Sequence, residues 1–282
     1  MKTFYIGLKD KLVLIKETTT GYDFKECLFE KQPTRLAFDS LNHNRLYCST
    51  RDDGLWRIGE SHVSSARNIY GGLSSSKITS VGVSPLRSVD GYSAVYAGTE
   101  PSMLFYSEDR GRTFQEFKGI QNVPSKKDWA FPPRPYTHFV RWITPSYSKK
   151  HHLANSIEAG AVLNSNDQGK IWKDRPKKSP IDVHTLLAHP KAPGRLYAAN
   201  GDGASNNKHA YAESEDEGTT WEYMSEGLEE HPYLYNMVLH PEDPNDRIVS
   251  ASKNASAAHG FKRYSTVYRK VGDESWKELA EG

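Results

Sequence analysis

Acid–base chemistry needs carboxylates, imidazoles and phenols that converge, and in this chain such residues sit at equivalent places in a repeating pattern. His138, His184 and Tyr235 stand at or near the starts of three similar apolar-alternating runs, "HFVRWITP" (138–145), "VHTLLAHP" (183–190) and "LYNMVLHP" (234–241). Arg141 lies a little further along the first run. Glu100 in "GTEPS", Glu158 in "SIEAG" and Asp202 in "NGDG" close the strand-like runs that come next. A carboxylate beside a histidine and a tyrosine equips a site for general acid–base catalysis, because burial moves such pKa values toward neutrality. Glu158, His184 and Tyr235 are therefore the candidate catalytic residues, with Glu158 and His184 the leading pair. His138, Arg141, Asp202, Glu100 and Trp129 are candidates for substrate binding. Trp129 offers a ring to stack on a sugar or, equally, a pin for its own loop. The same set would supply two or three ligands to a divalent ion. The competing structural reading has His184 hydrogen-bonded inside a narrow channel and Tyr235 packing.

The elements that must position these residues follow from the repeat. Besides the three runs above there are "ITSVGVSP" (78–85) and "TRLAFDS" (34–40), the last with Ser40 where the others have Pro. Their last residues, 40, 85, 145, 190 and 241, are spaced by 45, 60, 45 and 51. Each is followed by a second strand-like run, such as "AVYAGT" or "RLYAANG", rich in β-formers, and helix-period patterns are scarce. Small β units of about 40–50 residues are the signature of a β-propeller with four-stranded blades. The prediction is a single all-β domain over 1–282, a six-bladed β-propeller of four-stranded antiparallel blades at approximately 1–32, 33–72, 76–120, 136–178, 181–228 and 232–282. The first unit reads as lacking its innermost strand, and "SWKELAEG" as ending on an outer one.

A second string marks the third strand of three units: "YSEDRGRTF" (106–114), "NSNDQGKIW" (164–172) and "ESEDEGTTW" (213–221). Each reads Ser-x-Asp-x-Gly-x-x-aromatic: Ser107, Asp109, Gly111 and Phe114; Ser165, Asp167, Gly169 and Trp172; Ser214, Asp216, Gly218 and Trp221. The Asp suits the backbone N–H groups of a tight turn, the Gly a positive φ, and the aromatic a place between blades. This spacing predicts structure, not chemistry. "YRKVGDESW" (268–276) keeps only Trp276 of the pattern.

The three strings resemble the Asp-box, or BNR, repeat of sialidases, sortilin-type receptors, xyloglucan hydrolases and photosystem II assembly factors. "EAGAVLNSNDQGKIW" followed by "DVHTLLAHP" is similar to a unit of compact BNR-repeat proteins often labelled glycosyl hydrolases. The resemblance implies a sialidase-like propeller whose boxes lie on the face opposite a site in the central funnel. A sialidase-type glycosidase fits poorly: Arg141 is the only plausible member of an arginine clamp, and no Phe/Tyr-Arg-Ile/Val-Pro motif occurs. The leading expectation is a small-molecule hydrolase or lyase working in the funnel on a carbohydrate-like or lactone-like compound, with a divalent metal there as the one conceivable cofactor. The alternative is a non-enzymatic ligand-binding or protein-assembly propeller, using rim loops such as 252–266 with Lys253, Lys262, Arg263 and Tyr264.

Three long connections, 121–138, 200–210 and 252–266, fall on the same expected rim as the candidate residues, and loops of that length are usually functional or disordered. His189 and His240 precede Pro at the same place in the repeat, which predicts strand-end packing. His151 and His152 belong to a polar turn. The 37 Lys and Arg nearly balance 35 Asp and Glu, with no basic stripe for nucleic acid. No apolar run approaches the roughly 18 residues of a membrane span. Only Cys27 and Cys48 are present, read as reduced thiols of a cytoplasmic protein. Nothing resembles a nucleotide-binding glycine loop or a zinc finger.

Overall fold

The computed structural model describes residues 2–42, 45–59, 62–87, 91–150, 152–260 and 264–279, with backbone alone at 62–65. His151, Lys262 and Arg263 lie outside the described residues. The chain divides into two compact units, Met1–Lys118 and Gly119–Gly282. Each contributes three antiparallel sheets, and the six together are the blades of a six-bladed β-propeller.

In the first unit, blade one is β1 (Thr3–Gly7), β2 (Leu12–Glu17) and β3 (Tyr22–Cys27). Blade two is β4 (Pro33–Phe38), β5 (Leu46–Thr50), β6 (Leu55–Gly59) and β7 (His62–Asn68). Blade three is β8 (Ile78–Arg87), β9 (Ser93–Thr99), β10 (Leu104–Ser107) and β11 (Gln115–Glu116). The second unit holds β12 (Val140–Pro145), β13 (Leu153–Ile157) and β14 (Ala161–Ser165) as blade four. Blade five is β15 (Val183–His189), β16 (Ala192–Asn200), β17 (Tyr211–Ser214) and β18 (Glu222–Tyr223). Blade six is β19 (Tyr233–Leu239), β20 (Asp246–Ser252), β21 (Thr266–Val271) and β22 (Lys277–Glu278).

Two blades have three strands rather than the expected four. In blade four an isolated bridge between Asn164 and Lys173 stands in for the last strand. In blade one, β1 lies beside β4, where Tyr5 meets Phe38 edge-on at 5.3 Å. β1 therefore occupies the first-strand place, and what the blade lacks is its outermost strand; the expectation of a missing inner strand is corrected. The alternating "TFYIG" run is itself the blade's first strand.

The second strands explain their own composition. Every residue of β9 and β13 is buried, as suits second strands with a neighbour on either side in the sheet. Small residues such as those of "SAVYAGT" suit that position better than strict alternation. The core lies between blades: Tyr47, Leu55 and Ile69 of blade two pack on Ile78, Val95, Phe105 and Phe114 of blade three. Tyr197 and Tyr211 of blade five meet Leu234, Met237, Val249 and Trp276 of blade six in the same way.

The three Ser-x-Asp-x-Gly strings are turns after β10, β14 and β17. Ser107 donates to Asp109 Oδ1 (2.7 Å), Ser107 Oγ accepts the Gly111 N–H (2.8 Å), and Asp109 Oδ1 accepts from Arg112 and Thr113 N–H at 2.8 and 2.9 Å. The bonds from Gly169 to Ser165 and from Gly218 to Ser214 repeat this. Gly111, Gly169 and Gly218 all take positive φ, 79°, 75° and 84°, as the sequence pattern requires. Phe114 is buried between blades two and three, and Trp221 packs between blades four and five. Among the described residues no helix is long and apolar enough to cross a membrane.

Candidate functional site

The site is built by one backbone feature repeated from blade to blade. Each of the first strands β4, β8, β12, β15 and β19 carries a register shift just after its first residue, or in β19 its second. The residues at those shifts are Thr34, Thr79, Arg141, His184 and Tyr235. A bulge leaves one residue outside the ladder and re-aims its side chain. At three of these bulges the freed side chain reaches the next blade's first strand: Thr34 Oγ1 donates to Ile78 O (3.3 Å), Arg141 Nε to His184 O (3.3 Å), and His184 Nδ1 contacts Leu234 O at 2.6 Å. In the second unit the three bulge residues are an arginine, a histidine and a tyrosine. This is why the three candidates converge.

The partners come from the ends of second strands and the residues before first strands. Glu158 follows β13, and its carboxylate lies 3.3 Å from Arg141 Nε and 3.8 Å from His184 Nε2. Asp182, just before β15, reaches His184 Nε2 at 3.5 Å. His184 is almost wholly buried and Glu158 is buried, while the Asp182 side chain is 26% exposed and faces the opening. Because the His184 Nδ1 proton is donated to a carbonyl, Nε2 is the nitrogen left for chemistry. Tyr233 and Tyr235 flank the His184 ring, with centroids 5.0 and 5.4 Å away, and the Arg141 guanidinium sits 4.8 Å over the Tyr235 ring. His259, on α1 (Ala255–His259), packs edge-on against Tyr235.

Charge follows geometry here. Burial raises the Asp182 pKa, and the neighbouring Glu158 carboxylate adds to the rise while His184 and Arg141 oppose it. Burial pulls the Arg141 pKa down, but Glu158 and Tyr235 outweigh it and leave the guanidinium more firmly charged. Tyr233 is pushed up, mainly by burial and then by the two carboxylates. A buried carboxylate whose proton is held more tightly, beside an imidazole, is suited to proton transfer near neutral pH.

The other candidates fare differently. Asp202 does not face the site; its carboxylate accepts the backbone N–H groups of Ile181 (2.8 Å) and Asp182 (3.1 Å), so it positions Asp182. Trp129 is buried, donates its indole N–H to Ser125 Oγ (3.1 Å) and meets His138 edge-on, which makes it a loop pin and not a stacking platform. His138 is half-buried in that contact. Glu100 lies in the first unit at the end of β9, buried before a cis proline, Pro101. His189 and His240 are structural: each Nδ1 accepts a backbone N–H two residues on, and His189 Nε2 also contacts His240 O. Asp182 is the residue that sequence reasoning missed. Its signal was available, since in "DVHT" it sits two residues before His184, but the bulge that brings them together leaves no trace in the sequence.

The described parts of the three long connections are held by specific contacts. In 121–138, Ser125 bonds Asp174, and Arg175 bonds Asp128 and Gly160. In 200–210, His209 stacks on Tyr223 at 4.2 Å. In 252–266, Asn254 caps α1 by accepting the Ala257 N–H. A cleft opens at the other end of blades four and five, by Ser165 and Glu217. Of the charged groups lining it, Glu217 is paired with Lys149 and His152, and Arg195 with Glu213 and Glu215.

No family model matches the sequence, and no curated protein is similar to it by sequence. Solved structures share the fold. An ancestral GH74 enzyme superposes with a TM-score of 0.65 at 15% identity, over 88% of this chain and 31% of its own. The GH74 xyloglucanase of Xanthomonas campestris gives 0.56 at 15% identity, over 94% of this chain and 44% of its own. This chain thus spans less than half of either enzyme. A putative TolB from Agrobacterium tumefaciens gives 0.62 at 10% identity, over 92% and 84% of the two chains. YCF48, solved with a D1 peptide bound, gives 0.56 at 14% identity, over 88% and 68%. The propeller is therefore shared with enzymes and with a peptide-bound protein, and at these identities the likeness concerns the fold alone.

Proposed function

We propose that this protein is a small-molecule hydrolase or lyase, an Asp-box propeller whose reactive centre is Glu158, Asp182 and His184. The observation that carries this reading is the burial of Glu158 within 3.8 Å of His184 Nε2, with Asp182 closing the other side at 3.5 Å. A scaffold has no need to gather one buried and one partly buried carboxylate against a buried imidazole, because desolvating charge is costly. Arg141 pairs with Glu158 in the depth of the site. Asp182, nearer the opening and with a raised pKa, exchanges the proton with substrate, and His184 Nε2 shares it. Tyr235, 37% exposed on the rim, presents an aromatic face and a hydroxyl to a carbohydrate-like or lactone-like compound. A cytoplasmic setting belongs to the same proposal and is supported by two free, buried cysteines.

The test is a thermal-shift screen of the purified protein with sugars, uronates and lactones, followed by turnover assays on whatever binds. Glu158→Gln and Asp182→Asn are run alongside. The expected result is a rise of several degrees that vanishes in both variants, and turnover reduced by about 10²–10⁴-fold in each. If nothing binds the parent, and the variants retain every property of the parent, the reactive-centre reading fails. A pull-down for a protein partner then becomes the next step.

A further inference from the structure

Glu158, Asp182 and His184 each offer one ligand atom, and the three atoms lie within 4.8 Å of one another. Ligands held at about 2.1 Å around a common ion stand roughly 3.0–3.4 Å apart in octahedral or tetrahedral geometry. The observed separations of 3.5 and 3.8 Å from His184 Nε2 need only small side-chain movements to reach that range. Three further features prepare the cluster. The Nδ1 proton of His184 is donated to Leu234 O, which turns the Nε2 lone pair toward the carboxylates, as outer-shell partners of metal-bound histidines do. Asp182 is oriented from outside: Ala159 N–H donates to its Oδ1 (3.1 Å), and Asp202 holds its backbone N–H. Glu158 turns Oε1 toward His184 Nε2, while its buried Oε2 lies 3.3 Å from Arg141 Nε without a hydrogen bond, so the carboxylate is held between the guanidinium and the cluster.

The charges argue the same way. Two carboxylates face one guanidinium and one imidazole, and the imidazole has already committed a proton elsewhere. We propose that Glu158, Asp182 and His184 bind one divalent transition-metal ion, with the remaining coordination positions open to water or substrate on the side where Asp182 is exposed. Two carboxylate oxygens suit Mn²⁺, the imidazole nitrogen suits Zn²⁺, and no thiolate is present to favour a softer ion. Three protein ligands with an open position are the pattern of a catalytic metal site. This inference rests on the reading of the cluster as the reactive centre, and it puts a cation in place of the proton that Asp182 shares with His184.

The experiment titrates the chelator-treated full chain with Mn²⁺ alone and follows free Mn²⁺ by its electron paramagnetic resonance signal. One saturable site per chain is expected. Glu158→Gln, Asp182→Asn and His184→Gln should each weaken it at least tenfold, while Glu217→Gln, in the far cleft, should leave it unchanged. The two isosteric carboxamide variants guard against a misfolded His184 variant, and circular dichroism melts confirm that each is folded. Absence of a saturable site in the parent, or equal binding by parent and carboxamide variants, overturns the inference. Turnover by chelator-treated protein would remove the ion and keep the enzyme reading. Stoichiometric binding lost in the variants, with no turnover of any compound, would do the reverse.

Discussion

Arg141 and Glu158 form a pair in which each side chain is about nine-tenths buried, at 12% and 11% exposure. Removing one member strands the other. Arg141→Gln should cost about 3–5 kcal/mol in urea denaturation, and the double variant with Glu158→Gln should recover a large part of it. Asp182 behaves in the opposite sense. Its folded pKa is raised, chiefly by burial, so its contribution to stability is fully present below the ordinary carboxylate pKa and is lost as pH rises through the folded value. Asp182→Asn removes that cost while its amide oxygen still accepts the Ala159 N–H. At pH 7 the variant should be more stable than the parent by on the order of 0.5–2 kcal/mol, while activity falls. Equal or lower stability in urea melts at neutral pH would contradict this account of Asp182.

Two elements, the repeated turn and the end of β16, carry predictions of their own. In the turn after β10, burial pushes the Asp109 pKa up, but hydrogen bonds from Thr113, Ser107 and Arg112 win and hold it at about 2. A depressed folded pKa means stability that is present above the ordinary value near 4 and is lost as pH falls through about 2. Asp109→Ala should therefore cost about 1–3 kcal/mol at pH 7 and flatten the acid limb of the stability curve between about pH 4 and 2. At the end of β16, Gly201 has an ordinary φ of −76°, so its role is space and not backbone freedom. A Cβ there would stand 2.1 Å from Asp182 Oδ2 and 2.7 Å from His184 Cε1. Gly201→Ala must displace Asp182. We expect activity to fall at least tenfold with the fold intact by circular dichroism.

For the molecule as a whole, the two thiols report global opening. Cys27 and Cys48 are buried in one cluster of the first unit with Leu12, Leu46 and Ile58. Burial raises both thiol pKa values, that of Cys48 to about 12. Neither should react with iodoacetamide at pH 8 in the folded state, and both should react as urea unfolds the first unit. Rapid labelling of Cys48 in native protein would show that blades one and two open locally.

Much of this molecule was legible before any coordinate. The period of first and second strands announced six blades, because a blade cannot bury its faces alone and must repeat what its neighbour needs. The Ser-x-Asp-x-Gly strings announced their turns, because the bonds of Asp109 and the positive φ of Gly111 are local and are encoded within five residues. His184, Glu158 and Arg141 could be picked out as well, since the repeat put them at one end of their strands. What the tertiary structure alone decided was how those side chains meet. The bulge near the start of β12, β15 and β19 is a matter of pairing between strands, and nothing in "FVRW", "DVHT" or "YLYN" marks it. Asp182 joined the site through it. Asp202 and Trp129 left because their partners, the Asp182 backbone and Ser125, lie where the folded loops place them. Local bonds are written in local sequence; convergence across blades is set by packing, and packing requires the whole fold.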